Sequence, residues 1–174
     1  FLFLISITFS SHLSRNSVGI VYIPWIRSGI MSPARYGFLE SSSYLAVFSL
    51  PALIPFIAKS TSLATLMFTS SLIVCLGQLL FAISFMFRNY PCMLFSLSLF
   101  GLGASFLVTL QRSVIATSAQ FAQDKGFILG CAVTVANFAK ILTKLELPLL
   151  SLLGCGVEMI PWICVSCCMA CCIV

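Results

Sequence analysis

The chain has 174 residues, of which 60% are hydrophobic and only 7% are charged. An ordinary soluble domain carries about a quarter charged residues, so this composition excludes a water-soluble globule. The nine basic residues are spread singly along the chain, which argues against a nucleic-acid-binding patch despite the net charge of +5. We therefore predict an all-α integral membrane protein whose first partner is the lipid bilayer.

Six apolar stretches in a single membrane domain, 1–174, are each long enough or nearly long enough to cross a bilayer as a helix. They cover residues 1–26, 38–58, 63–87, 92–118, 126–150 and 156–174. The connections between them are short, which predicts that sequential helices are antiparallel neighbours. Strands are not expected, because barrel strands alternate over about ten residues rather than stay apolar for twenty.

The first stretch has a polar middle at residues 10–17. If that segment were an aqueous loop, residues 18–26 would be too short to cross a bilayer, so we predict one continuous helix. One of its faces carries Thr8, His12, Arg15, Asn16 and Gly19. His12 and Arg15 are candidate solute-binding residues. His12 is either a titrating group in a proton-coupled cycle or a plain hydrogen-bonding partner.

Two prolines, Pro51 and Pro55, lie one turn apart in the second stretch and predict a bend, either static or gating. In the fourth stretch, Ser98, Ser105, Thr109 and Arg112 share one helical stripe. A stripe of hydroxyls that ends in a guanidinium suits a wet cavity holding a carboxylate or phosphate. The alternative is that Arg112 snorkels to the interface or pairs structurally with an acid elsewhere.

Three polar residues of the fifth stretch, Asn137, Lys140 and Lys144, share a face, and Glu146 projects roughly opposite the lysines. Two cations one turn apart repel each other unless an anion lies between them or one loses its proton, and a bound solute would supply that anion. The alternative is that Lys144 and Glu146 mark the end of a shorter helix and snorkel.

The last stretch contains cysteines at metal-ligand spacing, among them Cys164, Cys167, Cys168 and Cys171. In an apolar stretch without histidine we interpret them as small packing residues, or as palmitoylation sites at the membrane edge. No metal or other cofactor is predicted.

Taken in order, the stretches resemble the second six-helix half of a major facilitator superfamily transporter. Residues 101–106, Gly-Leu-Gly-Ala-Ser-Phe, are similar to the beginning of the family's tenth helix. Asp124-Lys125-Gly126 with Gly130 is similar to the start of the eleventh, and its glycines form a ridge on which another helix can close. Residues 147–150 and the turn at residues 32–37 also resemble segments of that family.

The resemblance implies a secondary active transporter whose solute binds between two six-helix halves that rock in alternation. This chain is then the C-terminal half, a fragment completed by a missing N-terminal half or by a second copy. Because the charge inside the stretches is net positive, we expect a small, anionic organic solute. The candidate solute-binding residues are Arg112, Lys140, Lys144, Asn137, Ser105, Thr109, His12 and Arg15.

Two other functions fit the sequence less closely. Residues 58–62 lack the acidic and basic run that the family carries between its eighth and ninth helices, which favours a degenerate, non-transporting membrane protein. An integral-membrane enzyme would need an acid–base pair or a metal set, and the single histidine is remote in sequence from every acid.

The orientation has two conflicting indications. The first and third connections carry three basic residues, Arg27, Arg35 and Arg88. The second and fourth connections carry two, Lys59 and Lys125. The positive-inside rule then predicts a cytoplasmic first connection, whereas the family pattern implies an external one.

Overall fold

The computed structural model describes residues 2–49, 54–57, 61–117 and 124–173. Over these ranges the chain is helical and contains no strand, which confirms the all-α prediction. The helices are α1 (Leu2–Arg27), α2 (Pro33–Ser49), α3 (Ile54–Ile57), α4 (Leu63–Met86), α5 (Tyr90–Thr117), α6 (Lys125–Leu152) and α7 (Met159–Ile173).

Three helical segments in the described ranges are long and apolar enough to cross a membrane: Leu63–Met86, Tyr90–Ile115 and Lys125–Glu146. They support a membrane protein with transmembrane helices. α1 has 26 residues and is long enough, but its polar middle makes it less apolar than these three. α7 contains a shorter apolar segment, Met159–Ala170.

The polar middle of α1 is helical throughout, which confirms the prediction of one continuous helix. Three of its serines donate hydrogen bonds within the helix. Ser10, Ser11 and Ser17 each donate to a carbonyl three or four residues earlier, over 3.3, 3.2 and 2.8 Å respectively. The serines therefore leave the helix unbroken.

Two predicted boundaries are wrong. The segment at residues 32–37 is not a turn: α2 begins at Pro33, because Ser32 caps it by accepting from the Arg35 amide at 3.3 Å and proline suits the first helical position. α7 begins at Met159 rather than at residue 156, after a turn around Gly154. The predicted bend falls partly at Pro51, which lies outside the described residues, as does Lys59.

Sequential helices are mostly not the main packing partners of one another, which contradicts that prediction. α4 packs closely on α5, but α1 packs chiefly on α6 and α7, and α5 packs on α2 as well as α4. Short connections determine the end at which two helices meet, but they leave the lateral order of the helices open.

The contacts between helices show where the connections lie. Leu150 packs with Ile160, and Trp25 stacks on Phe85, so the α1–α2, α4–α5 and α6–α7 connections share one end of the bundle, here called the Arg88 end. Arg112 and Lys125 line one cavity at the opposite end, here called the Lys125 end. α1, α4, α5 and α6 therefore run from one end of the bundle to the other, whereas α2 and α7 begin at the Arg88 end and are shorter.

The same set of helix pairs packs closely when α1 is exchanged with α5, α2 with α6, and α4 with α7, although the α4–α5 pair packs more extensively than its counterpart. Under this exchange the α2–α5 pair corresponds to the α6–α1 pair, and the α4–α5 pair corresponds to the α7–α1 pair. The α4–α7 pair corresponds to itself. All of these pairs pack closely. Because α1 runs antiparallel to α5, with contacts from Tyr22 to Met93 and from Thr8 to Gln111, the two three-helix units have opposite directions.

Glycines of α4 and α5 allow the closest helix approaches. A Cβ at Gly101 would overlap the backbone of Ser43 in α2, and a Cβ at Gly103 would lie 2.9 Å from the backbone of α4. By contrast, nothing lies within 4 Å of a Cβ built at Gly126 or Gly130. The predicted glycine ridge of α6 is therefore open within the described chain.

Candidate solute-binding cavity

A cavity of about 640 Å³ lies between α1, α5 and α6, toward the Lys125 end. Its polar lining residues are Thr8, Ser11, His12, Gln111, Arg112 and Lys125. The remaining lining residues are apolar, and none of the described lining residues is acidic. The cavity thus combines two cations and an imidazole with uncharged walls.

The wall between α1 and α5 is closed by a hydrogen bond inside the bundle. Gln111 Nε2 donates to Thr8 Oγ1 at 2.6 Å, and both side chains are buried. His12 follows Thr8 by one turn of α1 and is half-buried. The Gln111–Thr8 bond therefore fixes the helices on which His12 and Arg112 stand.

The two cations approach the cavity from different helices. Arg112 is exposed on α5, and within the described residues its guanidinium has neither a hydrogen bond nor an ion pair. Lys125 is half-buried and is the first residue of α6. Of the eight predicted solute-binding residues, this cavity brings together Arg112 and His12.

The hydroxyl stripe of α5 lies beside the cavity rather than in it. Ser105 is buried and donates to the Gly101 carbonyl at 2.6 Å, and Thr109 donates to the Ser105 carbonyl at 3.0 Å. Neither residue lines the cavity. α5 presents the adjacent face instead, with Gln111 and Arg112 as its polar residues.

The predicted residues of α6 lie on an exposed face outside the cavity lining. Asn137, Lys140 and Lys144 are all exposed, and Lys140 Nζ donates to Asn137 Oδ1 at 3.4 Å. Glu146 points the other way, toward α1, as predicted, and its Oε1 accepts from Ser17 Oγ at 2.9 Å. α6 continues to Leu152, so Lys144 and Glu146 do not mark the end of the helix.

Arg15 also lies outside the cavity lining. Its guanidinium sits 5.1 Å from the ring centroid of Tyr44 in α2, a cation–π contact. Its Nε is buried and has no hydrogen-bond partner among the described residues. Arg15 therefore faces the α1–α2 side of the bundle.

Sequence reasoning did not select Gln111 or Lys125 as site residues. Gln111 carried a usable signal, because an amide in an apolar stretch needs a partner on another helix. Lys125 stood at the edge of its stretch, where a lysine is normally solvated.

Cys164 and Cys168, the predicted packing residues, are buried in the core, with Cys168 Sγ 3.3 Å from Ser14 Oγ.

The cavity can hold a small anion. An arginine offers planar paired donors to a carboxylate or phosphate, and a nearby lysine adds a point charge. Apolar walls with a few placed polar groups are typical of small-molecule sites.

Comparison of the chain with known protein families, with curated proteins and with solved structures finds no match.

Proposed function

We propose that this chain is the C-terminal six-helix half of a secondary transporter similar to the major facilitator superfamily, a multi-pass membrane protein that moves a small organic anion by alternating access. The observation that carries this proposal is the cavity itself, where Arg112, Lys125 and His12 line a volume in which no described lining residue is acidic. A carboxylate of the solute would accept the unpaired donors of Arg112.

The exchange symmetry of the helices supports a transporter. Secondary transporters are commonly built from internal repeats of opposite direction, with the solute bound at the interface between them. In this chain α1 and α5 occupy equivalent positions in the two three-helix units, and both line the cavity. The cavity thus lies between the two three-helix units, with α6 as its third wall.

The exposure of α6 supports a larger assembly. Only 22% of its apolar segment is buried, against 44% for α4 and 56% for α5. Lys140 and Lys144 lie on the exposed side, and a charged side chain is costly in lipid. We propose that this side faces the N-terminal half and the solute path, with a second copy as the alternative partner.

The test is binding of labelled acetate, succinate and citrate to the purified chain in lipid nanodiscs. Arg112→Ala should weaken binding of the best of these probes by about ten- to a hundred-fold, the value of a charge-assisted paired contact. Arg112→Lys keeps the charge but loses the planar donors, so it should have a smaller effect. Arg27→Ala, an exposed arginine at the opposite end, is the matched control.

Equal binding by all four proteins would contradict the proposal, as would displacement of the probe by tetraethylammonium. Uptake separates transport from binding. If cells producing the chain together with its N-terminal half bind the probe but never accumulate it, the protein is a non-transporting membrane protein.

A further inference from the structure

A second group of cations surrounds a small cavity at the Arg88 end, away from the solute cavity. This cavity has a volume of about 80 Å³. Arg35 of α2 and Arg88 of the α4–α5 connection line it, together with the aromatic residues Trp25 and Tyr90. Two exposed arginines from separate parts of the chain thus line one small cavity.

Each arginine is held by an aromatic ring. The Arg88 guanidinium carbon lies 5.8 Å from the centroid of the Trp25 ring, which stacks on Phe85 at 4.3 Å and an interplanar angle of 7°. The Arg35 guanidinium carbon lies 5.7 Å from the centroid of Tyr90. A cation–π contact positions a guanidinium but leaves its N–H donors available.

Neither guanidinium is neutralised within the described residues. No described carboxylate pairs with Arg35 or Arg88, and neither guanidinium donates a hydrogen bond to a described group. The Tyr90 hydroxyl donates to the Arg35 carbonyl at 3.3 Å, which joins α5 to α2 beside the cavity without using the guanidinium. The two arginines therefore line the same cavity without a carboxylate partner among the described residues.

The backbone at Arg88 adds an independent observation. α1, α4 and α6 all end at this end of the bundle with the same pair of capping hydrogen bonds, which requires a left-handed residue just after the helix. α1 and α6 use Gly29 (φ 73°) and Gly154 (φ 69°), whereas α4 uses Arg88 (φ 52°). Glycine adopts this conformation without steric cost. Arg88 adopts this conformation despite its steric cost, and its guanidinium lies over the Trp25 ring.

The site lies at the edge of two candidate membrane spans. α4 ends at Met86 and α5 begins at Tyr90, so Arg88 is at the membrane surface wherever these helices cross a bilayer. Tryptophan and tyrosine are typical of that interface, which is also where lipid phosphates lie. The positive N-terminal ends of α2 and α5 are both nearby.

We propose that Arg35 and Arg88 form a phosphate-binding site, filled by the headgroup of an anionic phospholipid or by free inorganic phosphate. Arginine donors match phosphate oxygens in pairs, and the two guanidinium groups are held in place before the anion arrives. The site is separate from the solute cavity, and it does not depend on the transport proposal.

The experiment uses Trp25 as the reporter. The chain has two tryptophans, so Trp162→Phe leaves Trp25, the ring beneath Arg88, as the sole fluorophore. One arm titrates inorganic phosphate into the detergent-purified protein. The other raises the fraction of phosphatidylglycerol in phosphatidylcholine nanodiscs, and native mass spectrometry counts the lipid retained independently of the Trp25 signal.

Three variants and a control are compared in both arms. Arg35→Gln and Arg88→Gln each remove one guanidinium. Arg88→Gly also removes it while relieving the backbone strain, so that a loss of binding by this variant is not a folding defect. Arg27→Gln removes an exposed arginine at the same end that does not line the cavity.

We expect saturable binding by the parent protein and by Arg27→Gln, weakened at least ten-fold in the other three variants. Binding in the nanodisc arm alone identifies the lipid headgroup, binding in the phosphate arm alone identifies the free ion, and binding in both supports a site for the phosphate group itself. No saturable binding in either arm overturns the proposal. So does an equal loss in Arg27→Gln, because the arginines would then act only as diffuse surface charge.

Discussion

Single polar residues inside the helices are mostly hydrogen-bonded, but Glu146 is hydrogen-bonded through only one of its two carboxyl oxygens. One of its carboxyl oxygens accepts from Ser17 at 2.9 Å, whereas Oε2 is buried and has no partner among the described residues. Ser17 also donates to the Leu13 carbonyl at 2.8 Å, so a single hydroxyl hydrogen serves two acceptors. The carboxyl group therefore depends on one shared hydrogen bond.

Removing that bond should lower stability. Ser17→Ala leaves both carboxyl oxygens of Glu146 unpaired, and we expect a loss of about 1–3 kcal/mol, measured as a lower thermal midpoint in a fixed detergent. Glu146→Gln keeps an acceptor for Ser17, so its midpoint should fall less than that of Ser17→Ala. The control is Ser166→Ala, an exposed serine bonded only to its own helix. Equal midpoints for Ser17→Ala and Ser166→Ala would show that the bond contributes nothing.

Three arginines contact aromatic rings rather than acids. Arg15 lies over Tyr44, Arg35 over Tyr90, and Arg88 over Trp25. The chain has nine basic residues but only four acidic ones, so most cations must find other partners. A helical wheel groups Arg15 with His12 and Asn16 on one face of α1, but the ring of Tyr44 comes from another helix. Such contacts depend on lateral packing, which the wheel does not contain.

At the scale of the helices, glycines separate close packing from open surface. Gly103→Ala would place a methyl group 2.9 Å from the α4 backbone, and we expect this overpacking to cost about 1–3 kcal/mol. Gly126→Ala meets nothing within 4 Å and gains helix propensity, so it should be neutral or stabilising by up to about 1 kcal/mol. Thermal midpoints in one detergent test both changes. A drop for Gly126→Ala equal to that for Gly103→Ala would mean that the α6 ridge is packed.

The helix positions were predictable from the sequence, but their neighbours were not. Apolar stretches and polar connections placed α1, α4, α5 and α6 to within a few residues, because hydropathy reports directly on each segment. The start of α2 was missed since a capping serine followed by proline was interpreted as a turn. The cavity was recovered only in part, through His12 and Arg112. Gln111 and Lys125 join it because α1 lies beside α5 and α6, and the connection lengths do not encode that arrangement.

At the scale of the whole molecule, α1, α4, α5 and α6 join the Arg88 end to the Lys125 end. The six-span plan further requires that α2 and α7, which begin at the Arg88 end, also cross the bilayer. We predict that the two ends of α6 are on opposite sides of the membrane. Native Cys155, exposed after α6, should react with an impermeant thiol reagent from one side, and an Asp124→Cys variant should gain a reactive thiol on the other. Cys155→Ser identifies the native signal, and a matched pair, Asn89→Cys and Ser62→Cys, tests α4 in the same way. If positions 124 and 155 react from the same side, α6 does not cross, and the six-span plan is wrong. If they react from opposite sides, the exposed Lys140 and Lys144 of α6 lie within the membrane. Because a charged side chain is costly in lipid, contact of this face with a partner half is then physically favoured over contact with lipid.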